Sequence, residues 1–542
     1  MSARREVAEV FSGTGEEAAG EAPDVFLPGE EERSQQAGSQ TEPEFVPMHP
    51  VRAAGYFSAS VLLGLSQGFG QSVISSNLAQ LQGSFGATQA ETLWLTAAYM
   101  APNVSLTLVL IKIRNQFGLR KFAEFSIVGF LLAALLNYAA GDLQSAIAVR
   151  FMGGAAAAPL TSLAFLYMLE PLPPEKKMNF GLCAALTFIF MGPSFTGLVS
   201  PYLLGVGLWH GLTALEAAFA LLGFGLVYLL PLGSPRHPMK VHADDITSYI
   251  FVAVGMGSIT VALIFGPTYW WVDASWIGYL LAVGIASSFI AIAIELNRKA
   301  PLLDIRWIMS PAILQFAGAL LVFRLVLSEQ TAGATGLFRE LGLLNDQLAG
   351  LYLVIIASTI GGGLICAATL KPGRERTFHV VALVLLITGA LMDSNSTDQT
   401  VPSDMYLSQA MISLASALFM PPAMLSGLTS ALAKGYDYIL SFVIVFLTTQ
   451  KVGGILGSSL FSTFVVFRRQ FHSVRLSEQI TSATPQQLPG LESQVRIDAT
   501  VMAYNDAFMV IAVVSGLALV ALIIHMSADR VRNSRRLTPS SV

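Results

Sequence analysis

QLAGLYLVIIASTIGGGLICAATL, residues 347-370, runs between Asp346 and Lys371 without one charged side chain. A bilayer core about 30 Å thick is crossed by a helix of about 20 apolar residues, so the stretch reads as a membrane span. The same window, moved along the chain, finds thirteen more. The fourteen lie at 55-78, 92-111, 122-140, 146-168, 180-206, 212-232, 247-267, 274-295, 310-329, 347-370, 377-393, 404-427, 437-467 and 502-525. Composition agrees: 54% of the 542 residues are hydrophobic and 12% are charged, about half the charge of an ordinary soluble protein. A soluble reading is excluded, and an all-α polytopic membrane protein is expected.

The connections are short, apart from the loop holding Arg236 and Lys240 and a polar stretch at 468-501. Lysine and arginine resist translocation. With the N-terminus in the cytoplasm, 23 of the 31 such residues fall on that side, five fall outside, and Arg150, Arg324 and Lys451 fall within spans. Both termini are therefore expected in the cytoplasm, with the chain passing many times through the inner membrane. The first 50 residues carry 11 acids and 3 bases. That composition predicts a disordered tail and argues against a cleaved signal peptide.

Several chemistries are excluded at this level. Cys183 and Cys366 both lie in apolar runs, which leaves no disulfide framework or zinc pair. The seven histidines are scattered, and no G-x-x-x-x-G-K-[ST] stretch is present for ATP. No catalysis, cofactor, metal or nucleic-acid partner is expected.

Three stretches carry mechanical meaning. IKIRNQFGLRK (111-121) is a basic cytoplasmic turn with Gly118, Arg120 and Lys121. RFMGGAAAAP (150-159) places Arg150, Gly154, Ala157, Thr161 and Phe165 on one helical stripe. An arginine in hydrocarbon is costly, so it should face the bundle interior, a cavity or a carboxylate. GPSFTG (192-197) puts Gly192, Pro193 and Gly197 in the fifth span, where proline removes a hydrogen bond and glycine lets another helix approach.

In this order, and with QKVGGILG at 450-457 (Lys451, Gly453, Gly454, Gly457), these stretches resemble the major facilitator superfamily. The closer likeness is to its 14-span drug:proton antiporter branch, the EmrB-type multidrug exporters, over about 55-530. The resemblance implies two six-helix bundles, 51-235 and 301-530, two inserted helices in 236-300, and cytoplasmic tails at 1-50 and 531-542. It also implies alternating access around a central cavity, with a periplasmic adaptor and outer-membrane channel as partners besides the lipid bilayer. The chain departs from the family pattern at Ile111 and Asn115, and at Gly70, where the family has a carboxylate in the first span. An acid stands instead at Glu216, seven residues after Trp209, where the family has asparagine.

A proton-coupled exporter needs a carboxyl group that changes protonation, and a nearby arginine favours the charged form. Glu216 with Arg150 is the first candidate and Glu329 the second. Gln67, Gln71, Ser75, Thr96, Tyr99, Asn103, Thr161 and Arg324 are expected to line a chamber for small amphipathic organic molecules. Proton-driven efflux is the expected function. The alternatives are a dedicated exporter of a siderophore or secondary metabolite, and a non-transporting receptor with the same fold.

Overall fold

The computed structural model describes residues 47-233, 243-271, 273-298, 304-371, 373-432, 436-479 and 488-537. Within these residues every regular element is a helix. Fourteen long helical segments fall on the apolar runs. The first four are α1 Pro50–Ser76, α2 Gln89–Thr107, α3 Leu119–Ala139 and α4 Leu143–Leu169; α5 is Lys177–Phe190 with Gly192–Gly207. Then come α6 Trp209–Leu229, α7 Ala243–Tyr269, α8 Ser275–Asn297, α9 Pro311–Glu340 and α10 Ala349–Thr369. The last four are α11 Glu375–Asp393, α12 Pro402–Leu432, α13 Tyr436–Glu478 and α14 Leu488–Leu537.

Ten of these are long and apolar enough to cross a bilayer, or eleven when the two pieces of α5 count as one span. Helices α1, α2 and α13 fall short of that measure; glutamine, serine, threonine and asparagine interrupt the first two. Several of those amides and hydroxyls point inward. Gln67, Ser72, Asn77 and Asn103 are all buried, as polar groups in hydrocarbon must be.

Packing divides the helices into two bundles. Tyr56, Leu63, Phe122, Ile127, Phe130, Tyr167 and Val227 make a core among α1, α3, α4 and α6. Phe323, Phe338, Ile355, Leu386, Phe442, Phe446 and Phe508 belong to a larger one in the second half, which also takes Phe165, Leu182 and Leu186 from α4 and α5. The extra pair, α7 and α8, meets closely at Gly255 and Gly284: a Cβ on Gly255 would lie 2.6 Å from the Ser288 hydroxyl and one on Gly284 2.8 Å from the Ile259 side chain. Its far end packs on both bundles. Phe265 and Ile277 meet Ala97 of α2, while Ser459 of α13 donates to the Leu263 carbonyl at 2.6 Å and Trp271 donates to Thr463 at 2.9 Å.

The polar stretch 468-501 differs from a loop. Helix α13 continues to Glu478 and α14 starts at Leu488, so both run well beyond the 30 Å or so of a bilayer core. The helices hold each other there: Arg468 and His472 of α13 both reach Asp506 of α14 at 2.6 Å. Polarity marks departure from lipid, and a charged helix in water meets that condition as well as a loop does. The segment 480-487, Arg236, Lys240, the first 46 residues and the last five lie outside the described residues.

Candidate functional site

A cavity of about 830 Å³ lies between the bundles. Gln67, Gln71, Ser75, Thr96, Thr161 and Arg324 line it, and it extends to the helix ends that carry Gln89, Glu340 and Arg469. Phe165, Leu186, Phe190, Phe446 and Lys451 contribute to its deeper wall. Tyr99 and Asn103 stand behind that wall. Helical spacing puts them on one face with Thr96, but α4 crosses α2 so closely at Gly154 that a Cβ there would overlap the Tyr99 carbonyl. Asn103 donates to the Gly154 carbonyl at 3.0 Å and accepts from Gln67 at 3.3 Å and Gln71 at 3.4 Å. It ties the wall to the helix behind it.

Arg150 lies behind the same wall, 1% exposed, with its guanidinium 3.5 Å from the Glu216 carboxylate. Asn137 of α3 donates to that carboxylate at 2.7 Å. The second guanidinium nitrogen donates to the Gly70 carbonyl at 2.5 Å, and the charge sits 4.2 Å over the Tyr99 ring. A Cβ built on Gly70 would lie 3.4 Å from Glu216 Oε1 and overlap the Tyr99 hydroxyl. The carboxylate on α6 therefore occupies the space into which a side chain on α1 would grow. Gly70 and Glu216 are two halves of one arrangement.

The second half holds another buried acid group. Glu329 opens a short π-helical turn, Glu329–Ala334, within α9. Gln409 of α12 donates through one amide nitrogen to Glu329 and to Asp393 of α11, at 2.8 Å each. Both acids are buried, and no lysine, arginine or histidine pairs with either among the described residues. Two such carboxyls cannot both be ionised cheaply. The sequence singles out neither Asp393 nor Gln409, because Asp393 is the last residue of the apolar run 377-393, where an acid reads as solvated. Asn137, one turn from the end of α3, was equally silent.

The glycine positions mark close crossings. A Cβ on Gly68 of α1 would lie 2.5 Å from the Gly192 Cα. The two pieces of α5 meet at an angle of 41° just before Pro193. Gly197 faces the Tyr352 ring of α10, which a Cβ would overlap. Tyr352 in turn donates to Asn345 at 2.9 Å, Arg339 donates to Tyr352 at 3.1 Å, and Asn345 donates across the bundles to the Ser76 carbonyl at 2.8 Å. On α13, a Cβ on Gly453 would lie 3.0 Å from Arg324 Cβ, one on Gly454 would overlap the Arg324 guanidinium, and one on Gly457 would lie 2.9 Å from the Leu325 Cα. Lys451 crosses to α2, donating to Thr107 at 2.9 Å and to the Asn103 carbonyl at 3.2 Å. Gly118 turns the chain at φ 79°, a conformation that favours glycine. Beside it Arg120 pairs with Glu124 of its own helix at 2.9 Å, and Lys121 is exposed.

Residues 60–458 match the family model described as Major Facilitator Superfamily. An "Uncharacterized MFS-type transporter YhcA" of Bacillus subtilis is 21% identical over 86% of this chain and 92% of its own. The puromycin resistance protein pur8 of Streptomyces alboniger is 26% identical over 72% and 77%. The putative multidrug resistance protein MdtD of Escherichia coli is 22% identical over 52% and 64%. Among solved structures, a proton-dependent oligopeptide transporter superposes with a TM-score of 0.55 at 13% identity, covering 87% of this chain and 98% of its own. The proton:xylose symporter XylE gives 0.51 at 13%, over 86% and 95%.

Proposed function

The chain belongs to the major facilitator superfamily, and from that premise we propose that it exports small amphipathic organic compounds by exchange with protons. The drug-resistance names of two relatives favour efflux. The observation that carries the reading is the position of Gly70. Its carbonyl accepts from Arg150, the partner of Glu216, while the next residue, Gln71, lines the cavity. A substrate that moves Gln71 moves the acceptor of Arg150, so loading of the cavity reaches the Arg150–Glu216 pair through the Gly70–Gln71 peptide of α1. Glu329 with Asp393 is the second candidate for the proton.

The protein is placed in the inner membrane with both ends cytoplasmic, in three units at 51-235, 236-300 and 301-530. The asymmetry of lysine and arginine supports that orientation. The test is accumulation of a fluorescent amphipathic compound in everted membrane vesicles energised by a proton gradient. Accumulation that collapses on adding an uncoupler is expected. Uptake indifferent to the uncoupler would remove proton coupling, and no uptake of any compound would favour a receptor.

A periplasmic adaptor, with an outer-membrane channel beyond it, is proposed to meet the protruding ends of α13 and α14. The arginines there are largely engaged: Arg468 with Asp506, Arg469 with Glu340 at 3.1 Å, and Arg475 over the Phe471 ring. Deleting 476-494 is expected to abolish co-purification of the adaptor while leaving uptake into vesicles intact; an unchanged co-purification would remove the docking surface.

A further inference from the structure

Charge is distributed unevenly between the cavity and its surroundings. Glu216 and Glu329 are both turned away from the cavity, one toward Arg150 and the other toward Gln409. The carboxylate that does line the cavity, Glu340, sits at its mouth and is paired with Arg469. Deeper in, Arg324 lines the wall with no hydrogen bond or ion pair to its guanidinium among the described residues, and its Nε is buried without a partner. Guanidinium stays charged in any protein setting. A charge in such a place calls for a counter-ion, and none pairs with it among the described residues.

The geometry around Arg324 is shaped for one. Its guanidinium lies against Gly454, whose missing side chain leaves the space it fills. Lys451 is three residues earlier on the same face of α13, about 4.5 Å along the axis, and among the described residues its amino group meets neutral oxygens, those of Thr107 and Asn103. Phe190 stands 5.7 Å from the guanidinium carbon, and Phe446 adds a second aromatic ring to the cavity lining.

We propose that the cavity takes an amphipathic organic anion, its carboxylate or sulfonate held by Arg324 with Lys451 as a second donor and its apolar body against Phe190 and Phe446. The proposal rests on the transport reading of this cavity and narrows its substrate class. An anionic head completes the cationic pair with charge-assisted hydrogen bonds, which are among the stronger ones. A cationic amphipath would meet Arg324 with no carboxylate in the deep wall to offset the repulsion.

The test uses the full chain in lipid nanodiscs and three probes on one scaffold: naphthalene-2-sulfonate, 2-naphthylmethanol and 2-naphthyltrimethylammonium, with binding read by calorimetry. The sulfonate is expected to bind about tenfold or more tighter than the other two, the advantage expected of a hydrogen bond between charged groups. Arg324→Gln should remove that advantage and leave the alcohol unchanged, while Arg324→Lys should keep part of it. Gly454→Ala, which crowds the guanidinium without deleting it, should weaken the sulfonate selectively and serves if Arg324→Gln does not fold. Equal binding of the three probes, tightest binding of the ammonium, or equal weakening of all three in the variants would each overturn the proposal. Vesicle uptake separates it from the efflux reading: selective sulfonate binding without transport of any probe would leave the anion site and remove export, whereas export of the ammonium without sulfonate binding would do the reverse.

Discussion

Glu216→Gln is expected to reduce proton-driven accumulation in everted vesicles to the level of passive leak while preserving substrate binding. Glutamine matches glutamate in shape and can still accept from Asn137, now 2.7 Å from the carboxylate. What it cannot do is exchange a proton or neutralise Arg150. Since Glu216 is not a wall residue of the cavity, binding should survive. Removing one partner of a buried ion pair costs about 3 to 5 kcal/mol, so the loss has to be separated from misfolding. The double variant Arg150→Gln with Glu216→Gln removes both charges and should recover thermal stability without recovering coupling. Export at the natural rate in Glu216→Gln, still sensitive to an uncoupler, would move the proton to Glu329 and Asp393, and Glu329→Gln would be the variant to measure next.

The Arg150–Glu216 pair was open to sequence reading because a charge in an apolar run has few places to go, and two such charges near the same end of the fourth and sixth spans can meet. Gly70 was legible only as a gap in a family pattern; that Glu216 reaches into the space beside it requires the crossing of α1 and α6. Tyr99 and Asn103 show the limit of helical periodicity. The spacing gives the face they share with Thr96, but whether a face meets a cavity or another helix depends on crossings such as that at Gly154. Asp393 shows a different limit: an acid at the end of an apolar run looks solvated until Glu329 and Gln409 arrive from segments 64 and 16 residues away on either side. Hydropathy does not give the extent of α13, because it reports where lipid ends, which here is not where the helix ends.

Gly197→Leu is expected to have the second large effect, through the contact between the bundles. Gly197 of α5 touches the Tyr352 ring of α10, and even a methyl group there would overlap it. Tyr352 cannot yield freely, because its hydroxyl joins Arg339 and Asn345, and Asn345 holds the Ser76 carbonyl and the Asn77 side chain at the end of α1. A leucine at 197 must therefore part α5 from α10, and with them the hydrogen bonds that join the bundles at this end. A transporter that alternates between two forms is shifted by any group that fits one of them better. About 1 to 3 kcal/mol of overpacking would move the balance roughly five- to more than a hundredfold toward the form separated here, slowing the return step and with it export. Spin labels on Thr88→Cys and Leu344→Cys, both exposed positions, would report the separation, the two natural cysteines being buried. The distance distribution should shift to longer values in Gly197→Leu, with export reduced tenfold or more at equal expression. Pro193→Ala should act more mildly, since it alters the 41° joint within α5 and leaves the Tyr352 contact in place. An unchanged distribution with unchanged export would mean that the bundles do not separate along this seam, and the moving contact would have to be sought at Lys451, where α13 holds Thr107 and the Asn103 carbonyl of α2.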